Sequence, residues 1–340
     1  MDEMLTSQPA SSPNFPLTLL HLRLRCRPLT SLDLGGYNAG MWLRGALSNV
    51  MSRAYCAGDA RDPEHVRQCP VCWLLAADEH PGQERRGYAI VPPAIPPGAG
   101  ASTQPFEFGL TLFGEAQRYL PYFLLAVPEA GHEGVGRGRG QFELREVWAN
   151  NPITGDHECV LAEGDSLVRM PQVRLSHADV LAEAQCLLDD WEEWNERPAG
   201  ELLKLRLHFV TPTRLILNEQ LVKVPDFGAL FRRLLRHLDE LAKQFCDPAW
   251  RRPLDEVHAL HALADGVRLV DTSTHWIDLQ SHSQRTGLSS PVGGFVGGAV
   301  YLAARETWAA LMPWLLWGMA TQVGKDTVKG NGVFRLEALG

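Results

Sequence analysis

Leu20-His21-Leu22-Arg23-Leu24-Arg25-Cys26 is answered far along the chain by Leu203-Lys204-Leu205-Arg206-Leu207-His208-Phe209. Each is followed within a few residues by proline and threonine, Pro28 with Thr30 and Pro212 with Thr213. Strict alternation puts the leucines on one face of a strand and His21, Arg23, Arg25 and Arg27, or Lys204, Arg206 and His208, on the other. The same strand therefore occurs twice, with one face for a core and an open basic face. A helical pattern follows each copy. The first covers residues 39–55. The second covers 227–245, with apolar side chains at 227, 230, 231, 234, 235, 238, 241 and 245.

Further strands are predicted at 88–91, 106–113 and 141–148 in the first half, with a helix at 115–127. Strands at 267–270, 296–302 and 333–336 fill the equivalent places in the second half. This order predicts an α+β protein of two tandem ferredoxin-like βαββαβ domains, 15–149 and 201–340, with a cysteine-containing insertion in the first. Residues 150–200 open on a turn-rich Asn-Asn-Pro-Ile-Thr-Gly and end in an acidic Asp189-Asp190-Trp191-Glu192-Glu193, and are predicted to be a hairpin and a helical linker. Residues 1–14, poor in apolar side chains, are predicted to be disordered.

A chain of 340 residues, 45% hydrophobic and 21% charged, has the composition of a globular protein of about two domains. The apolar run 307–320, with Trp308, Trp314 and Trp317, is shorter than a bilayer span and contains Pro313, so it reads as a buried helix rather than an anchor. A net charge of −8 argues against indiscriminate nucleic-acid binding and confines any such site to a local basic patch. Seven scattered cysteines and the lack of a basic-then-apolar start point to a reducing cytoplasm. Cys69-x-x-Cys72 sets two thiols on one tight turn. With Cys56 and either His65 or His80 they would make four ligands for a structural zinc; the alternative is a reduced thiol pair.

Two glycine-dense turns bracket the Trp-rich helix: Gly293-Gly294-Phe295-Val296-Gly297-Gly298, and Gly324-Lys325-Asp326-Thr327-Val328-Lys329-Gly330-Asn331-Gly332. Glycine exposes backbone N–H groups to close approach, and the interleaved lysines and threonine suit a phosphate-bearing partner. The second turn lacks the earlier glycine of a nucleotide-hydrolysing loop. Tight turns with no ligand are the alternative reading.

Several words in the same order resemble the CRISPR precursor-RNA processing endoribonucleases of the RAMP superfamily. They are Leu43-Arg44-Gly45-Ala46-Leu47, the insertion ending in Cys69-Pro-Val-Cys72, Leu112-Phe113-Gly114 with Tyr119-Leu120-Pro121-Tyr122-Phe123, and Gly134-Val-Gly-Arg137-Gly-Arg139. In the second half come Val210-Thr211-Pro212-Thr213-Arg214-Leu215, Ser281-His282-Ser283-Gln284-Arg285 and both glycine turns. Their colinearity over residues 17–337 carries the resemblance.

The resemblance implies a protein that binds the repeat of a CRISPR transcript and cuts it once per repeat without a metal or other catalytic cofactor. A ribose 2′-hydroxyl attacks the adjacent phosphate, leaving a 2′,3′-cyclic phosphate and a 5′-hydroxyl. Such chemistry needs a base, an acid and a cation. Many relatives carry a histidine on or near the first helix; helix 39–55 has none, which leaves Tyr37 and Arg44 by family position and His282 by residue type. His21 and His208 are further histidines on the repeat strands. For RNA binding the resemblance implies Lys325, Thr327 and Lys329 with the amides around Gly324, Gly330 and Gly332, then Arg137 and Arg139, and Arg285 beside His282. The alternative function is a non-catalytic subunit that holds guide RNA within a CRISPR effector or transposition complex, with other CRISPR subunits as partners. A scaffold that docks proteins through segments such as 189–193 is a third.

Overall fold

The computed structural model describes residues 14–59, 62–75, 85–194, 202–282 and 289–339. The expected disorder of residues 1–13, the end of the linker after 194, His80 and Arg285 fall outside them.

The first unit runs β1 (Leu19–Pro28), α1 (Ala39–Tyr55), the short helices α2 (Pro63–Gln68) and α3 (Pro70–Leu75), β2 (Tyr88–Val91), β3 (Phe106–Phe113), α4 (Leu120–Glu133), β4 (Phe142–Asn150) and β5 (His157–Leu161). Its sheet has the order β2-β3-β1-β4-β5 with every neighbour antiparallel, the ferredoxin-like order plus one edge strand. Leu20, Leu22, Leu24 and Cys26 of β1 are buried beneath Leu43, Leu47 and Val50 of α1 and Phe123 and Val127 of α4. The periodicity of the repeat strand thus selects the helix-covered face.

The second unit begins with α5 (His177–Trp194) and β6 (Leu202–Thr213). It continues with a hairpin of β7 (Leu215–Leu217) and β8 (Gln220–Val222), then α6 (Phe227–Phe245), α7 (Leu254–Asp265), β9 (Arg268–Thr272) and β10 (His275–Ile277). A second hairpin, β11 (Gln280–His282) and β12 (Ser289–Pro291), precedes β13 (Gly294–Ala304), α8 (Arg305–Thr321) and β14 (Phe334–Leu339). The sheet order is β10-β13-β6-β14, and β9 pairs with the far end of β13, so β9 and β10 together form one broken strand. Asp226 caps α6 by accepting the Ala229 N–H at 2.7 Å. Helix α8 is buried on nearly all sides, as the apolar run implied: Trp308 Nε1 donates to the Leu203 carbonyl and Trp317 Nε1 to His177 Nδ1, each at 3.0 Å.

Two expectations change. The helix expected over 115–127 starts at Leu120, after a 3-10 turn over Gly114–Tyr119, because Pro121 suits a first turn; it ends at Glu133, where Gly134 takes φ 90°. The open basic face of β1 is also neutralised. Arg23 pairs with Glu107 at 2.7 Å, Arg25 with Glu146 at 2.8 Å and Arg27 with Glu143 at 2.5 Å. These glutamates stand on the flanking strands β3 and β4, Glu146 and Glu143 directly opposite Arg25 and Arg27, and Glu107 diagonal to Arg23.

The units meet over a seam of apolar contacts and hydrogen bonds. Leu17, Leu19, Ala89 and Phe113 belong to the second unit's apolar core. Gln322, buried, donates to the Ile90 carbonyl at 2.8 Å, and Arg85 pairs with Glu240 at 2.6 Å. At Gly40 in α1 the backbone lies so close to the Lys329 carbonyl and Gly330 that a Cβ would overlap them. Among the described residues no helix is long and apolar enough to cross a membrane.

Two predictions follow from this packing. Gly45, on the same helix, has open space around it, so Gly45→Ala should raise stability by ~0.5–1 kcal/mol. Gly40→Ala should lower it by ~1–3 kcal/mol despite the better helix propensity, read from urea unfolding midpoints.

Acid sensitivity has a separate source. Burial, then the Arg23 charge, lowers His21 from 6.5 to about 4, and burial holds His237 well below 6.5. Both stay neutral in the folded chain and bind protons in the unfolded one first. The stability they contribute is therefore complete above about pH 6.5 and falls as pH drops toward 4. Urea midpoints measured from pH 7.5 to 4.5 should decline, and His237→Gln should flatten the decline.

Candidate nucleic-acid interface

The Gly324–Gly332 turn lies on the seam, and its glycines have structural work there. Gly324, Gly330 and Gly332 have φ of 98°, 88° and 80°, the left-handed region that favours glycine. Side chains would meet Arg214, Pro92 and the Val323 backbone respectively. Val328 packs on the first unit's core, and buried Asn331 donates to the Val292 carbonyl at 2.9 Å. The turn is thereby pinned to both units at once.

Of its cations, Lys325 is exposed and its amide donates to the Arg214 carbonyl at 3.0 Å. Lys329 Nζ instead reaches Asp326 at 2.8 Å, with both side chains largely covered. Thr327 is half-buried at the start of the 3-10 turn Thr327–Lys329. Arg214 adds a cation that sequence reasoning did not weigh. It donates to the Gly293 carbonyl at 3.1 Å, lies over the Trp276 ring at 5.8 Å, and keeps a buried Nε without a partner among the described residues. Its signal was its place in the Val210–Leu215 word, from which no role was drawn.

Opposite the turn stands α1. Tyr37 is half-buried in the Gly36–Asn38 turn that leads into the helix. Arg44 follows Gly40 by one helical turn and Ser48 by two, so these residues lie along the side of α1 that meets Lys329 and Gly330. Arg44 Nε and Ser48 Oγ are both buried and unpartnered among the described residues. Together they make this line of α1 polar.

The other expected residues stand on other elements. His282 is exposed on the β11–β12 hairpin, sharing a 3.2 Å hydrogen bond with Ser289 Oγ. Arg139 donates to the Glu133 carbonyl at 3.1 Å and so closes the end of α4, while the exposed Arg137 has its amide on the Asp33 carbonyl at 2.9 Å. That bond ties the 134–140 loop to the segment before α1. His21 lines a cavity of about 630 Å³ on the first sheet with Arg23, Glu107 and Arg335, and none of Tyr37, Arg44, Lys325 or His282 borders it. Held neutral, His21 has no proton to give near pH 7. Cys56, His65, Cys69 and Cys72 do come together, with their ligand atoms all within 4.8 Å of one another.

The seam between two ferredoxin-like units can now be set beside known proteins. Residues 16–173 match a family model described as an N-terminal domain, and residues 207–334 match that of the CRISPR-associated endoribonuclease Cas6. Over residues 207–334 the chain is Cas6-like. Among solved structures it is similar to a Cas6 product complex, at 18% identity over 94% of this chain and 100% of that chain, with a TM-score of 0.52. Thermus thermophilus Cas6 matches at 17% identity over 94% and 99%, with a TM-score of 0.51. A partial Cas6-RT-Cas1–Cas2 complex matches at 14% over 96% of this chain and 47% of that one, with a TM-score of 0.57. These likenesses extend the tandem ferredoxin-like fold over nearly the whole chain. No curated protein matches its sequence.

The two lysines of the turn should separate by role. Lys329→Ala strands the covered Asp326 carboxylate and should cost ~1–3 kcal/mol, whereas Lys325→Ala should stay within ~0.5 kcal/mol of the parent in chemical denaturation.

Proposed function

We propose that this Cas6-like chain binds CRISPR repeat RNA across the seam between its units and cleaves the precursor transcript within each repeat, releasing guide RNAs. The observation that carries the reading is the pairing of α1, with the unpartnered Arg44 Nε and Ser48 Oγ, against the glycine turn that presents Lys325. Arg214 and the exposed Arg137 extend the positive surface on either side.

The nucleophile is the substrate's own 2′-hydroxyl, already adjacent to the phosphate, so no metal-activated water enters the reaction. The 2′-oxygen bonds to phosphorus as its proton leaves to a base, the bond to the 5′-oxygen breaks, and that oxygen takes a proton. Arg44 is assigned to the non-bridging phosphate oxygens as charge builds, and the Tyr37 phenol to proton transfer. His282 is a further candidate acid or base, on a hairpin whose second strand leads into Val292 beside the glycine turn. Lys325 is assigned to a neighbouring phosphate, with Thr327 beside it, whereas the expected Gly330 and Gly332 amides already donate to the Thr327 and Pro212 carbonyls.

A second reading is a guide-holding subunit without cleavage. The absence of a histidine from α1 and the position of His282 on a separate hairpin favour it. The likeness to a chain of a Cas6-RT-Cas1–Cas2 complex supports docking onto other CRISPR subunits under either reading.

Incubation with the host's repeat RNA in EDTA, with a 2′-deoxy nucleotide at each candidate cut in turn, separates the readings. The expected result is one cut that survives EDTA and disappears with one 2′-deoxy substitution; tight binding without a cut would leave the guide-holding subunit, and no binding would remove both. Arg44→Ala should lower the single-turnover cleavage rate by ~10²–10³-fold. Lys325→Ala should weaken binding and reduce the salt dependence of log K by about 1.

A further inference from the structure

Helices α2 and α3 are additions to the first unit's ferredoxin-like pattern, and with the residue after α1 they bring three thiols and an imidazole to one point. Cys56 is the residue after α1, in extended conformation. Its sulfur is 3.2 Å from His65 Nε2 and 3.5 Å from Cys72 Sγ. His65 and Cys69 stand four residues apart at the end of α2, where the Cys69 amide donates to the His65 carbonyl at 2.8 Å. The turn from Cys69 into α3 then brings Cys72 round, with the Trp73 amide on the Cys69 carbonyl at 2.9 Å. Gly58 lies directly against the imidazole, where a Cβ would overlap the ring.

We propose that Cys56, His65, Cys69 and Cys72 form a structural zinc site. Three sulfurs and one nitrogen whose mutual distances do not exceed 4.8 Å fit a closed tetrahedral shell, with Zn–S near 2.3 Å and Zn–N near ~2.0–2.1 Å. Thiolates select a soft or borderline cation, and a full set of four protein ligands leaves no position for substrate. The site is structural, and its assignment is independent of the RNA reading. Binding exchanges the thiol protons for the ion, so three protons leave as three Zn–S bonds form.

The cysteine-bearing segment has something to hold in place. The residue after Cys72 is Trp73, whose ring meets Tyr119 at 5.1 Å and Phe245, at the end of α6 in the second unit, at 5.6 Å. Arg118 lies over the same ring at 5.7 Å. The ion ties the end of α1 to α3, and α3 sets an aromatic strut between the units. Neither short helix, at six residues each, would be stable alone.

The test is metal analysis of the full chain, purified under reducing conditions from zinc-supplemented cells. One zinc per chain is expected, with three sulfurs and one nitrogen in X-ray absorption. Cys69→Ser should lose most of the metal, while Cys186→Ser, altering an exposed cysteine on α5, should keep it. Should Cys69→Ser prove insoluble, cobalt(II) added to the metal-stripped parent must give the visible absorption of a tetrahedral thiolate site. Stripping should also raise amide exchange in residues 240–245 of α6. Substoichiometric zinc in the soluble parent, full zinc in soluble Cys69→Ser, a shell of oxygen and nitrogen, or a disulfide among the three cysteines would each overturn the assignment.

Discussion

The approach of one backbone to another, at Gly40 against Lys329 and Gly330, is the constraint on which the seam depends. It is possible because neither Gly40 nor Gly330 carries a side chain, and it brings α1 within reach of a turn from the other unit. The remaining seam contacts are consistent with that approach: Gln322 on the Ile90 carbonyl, Arg85 on Glu240, and Leu17 and Leu19 in the second core. A pair of independent ferredoxin-like units would keep α1 and the turn apart. Here they share one surface.

Period and repetition made much of the architecture readable. Helices α1 and α6 begin and end where apolar spacing placed them, since those spacings reflect one buried face over four or more turns. The repeat strands were readable for the same reason. Other elements were less legible. The hairpins β7–β8 and β11–β12 have too few residues to show a period, α7 was not read, and β9 and β10 share the place of one strand, whereas the turn-rich start of 150–200 did announce the hairpin of β4 and β5. The start of α4 was misjudged because a 3-10 turn and an α-helix present the same apolar residues over so short a span.

The site was legible in part, for a physical reason. Composition announces that glycine, lysine and threonine occur together, but not which lysine is already paired. Asp326 was visible between them, yet its capture of Lys329 depends on its left-handed φ of 66°. Arg139 looked like a twin of Arg137, and only the folded chain turns its guanidinium back onto α4. In contrast, the Cys56, His65, Cys69 and Cys72 set was readable because local helical turns, not distant contacts, bring most of it together. Arg214 was overlooked because a lone arginine after a strand has no pattern.

The row of glutamates beside β1 has one more implication. Arg23, Arg25 and Arg27 face Glu107, Glu146 and Glu143 across neighbouring strands, so guanidiniums and carboxylates alternate over the open surface of the first sheet. A polyanion laid flat there would gain little, since each attraction is offset by a repulsion a few ångströms away. Many RNA-binding sheets of this topology serve as platforms on which bases stack. In this molecule the sheet is instead electrostatically mute, and its paired charges give a nucleic-acid strand no foothold on the platform.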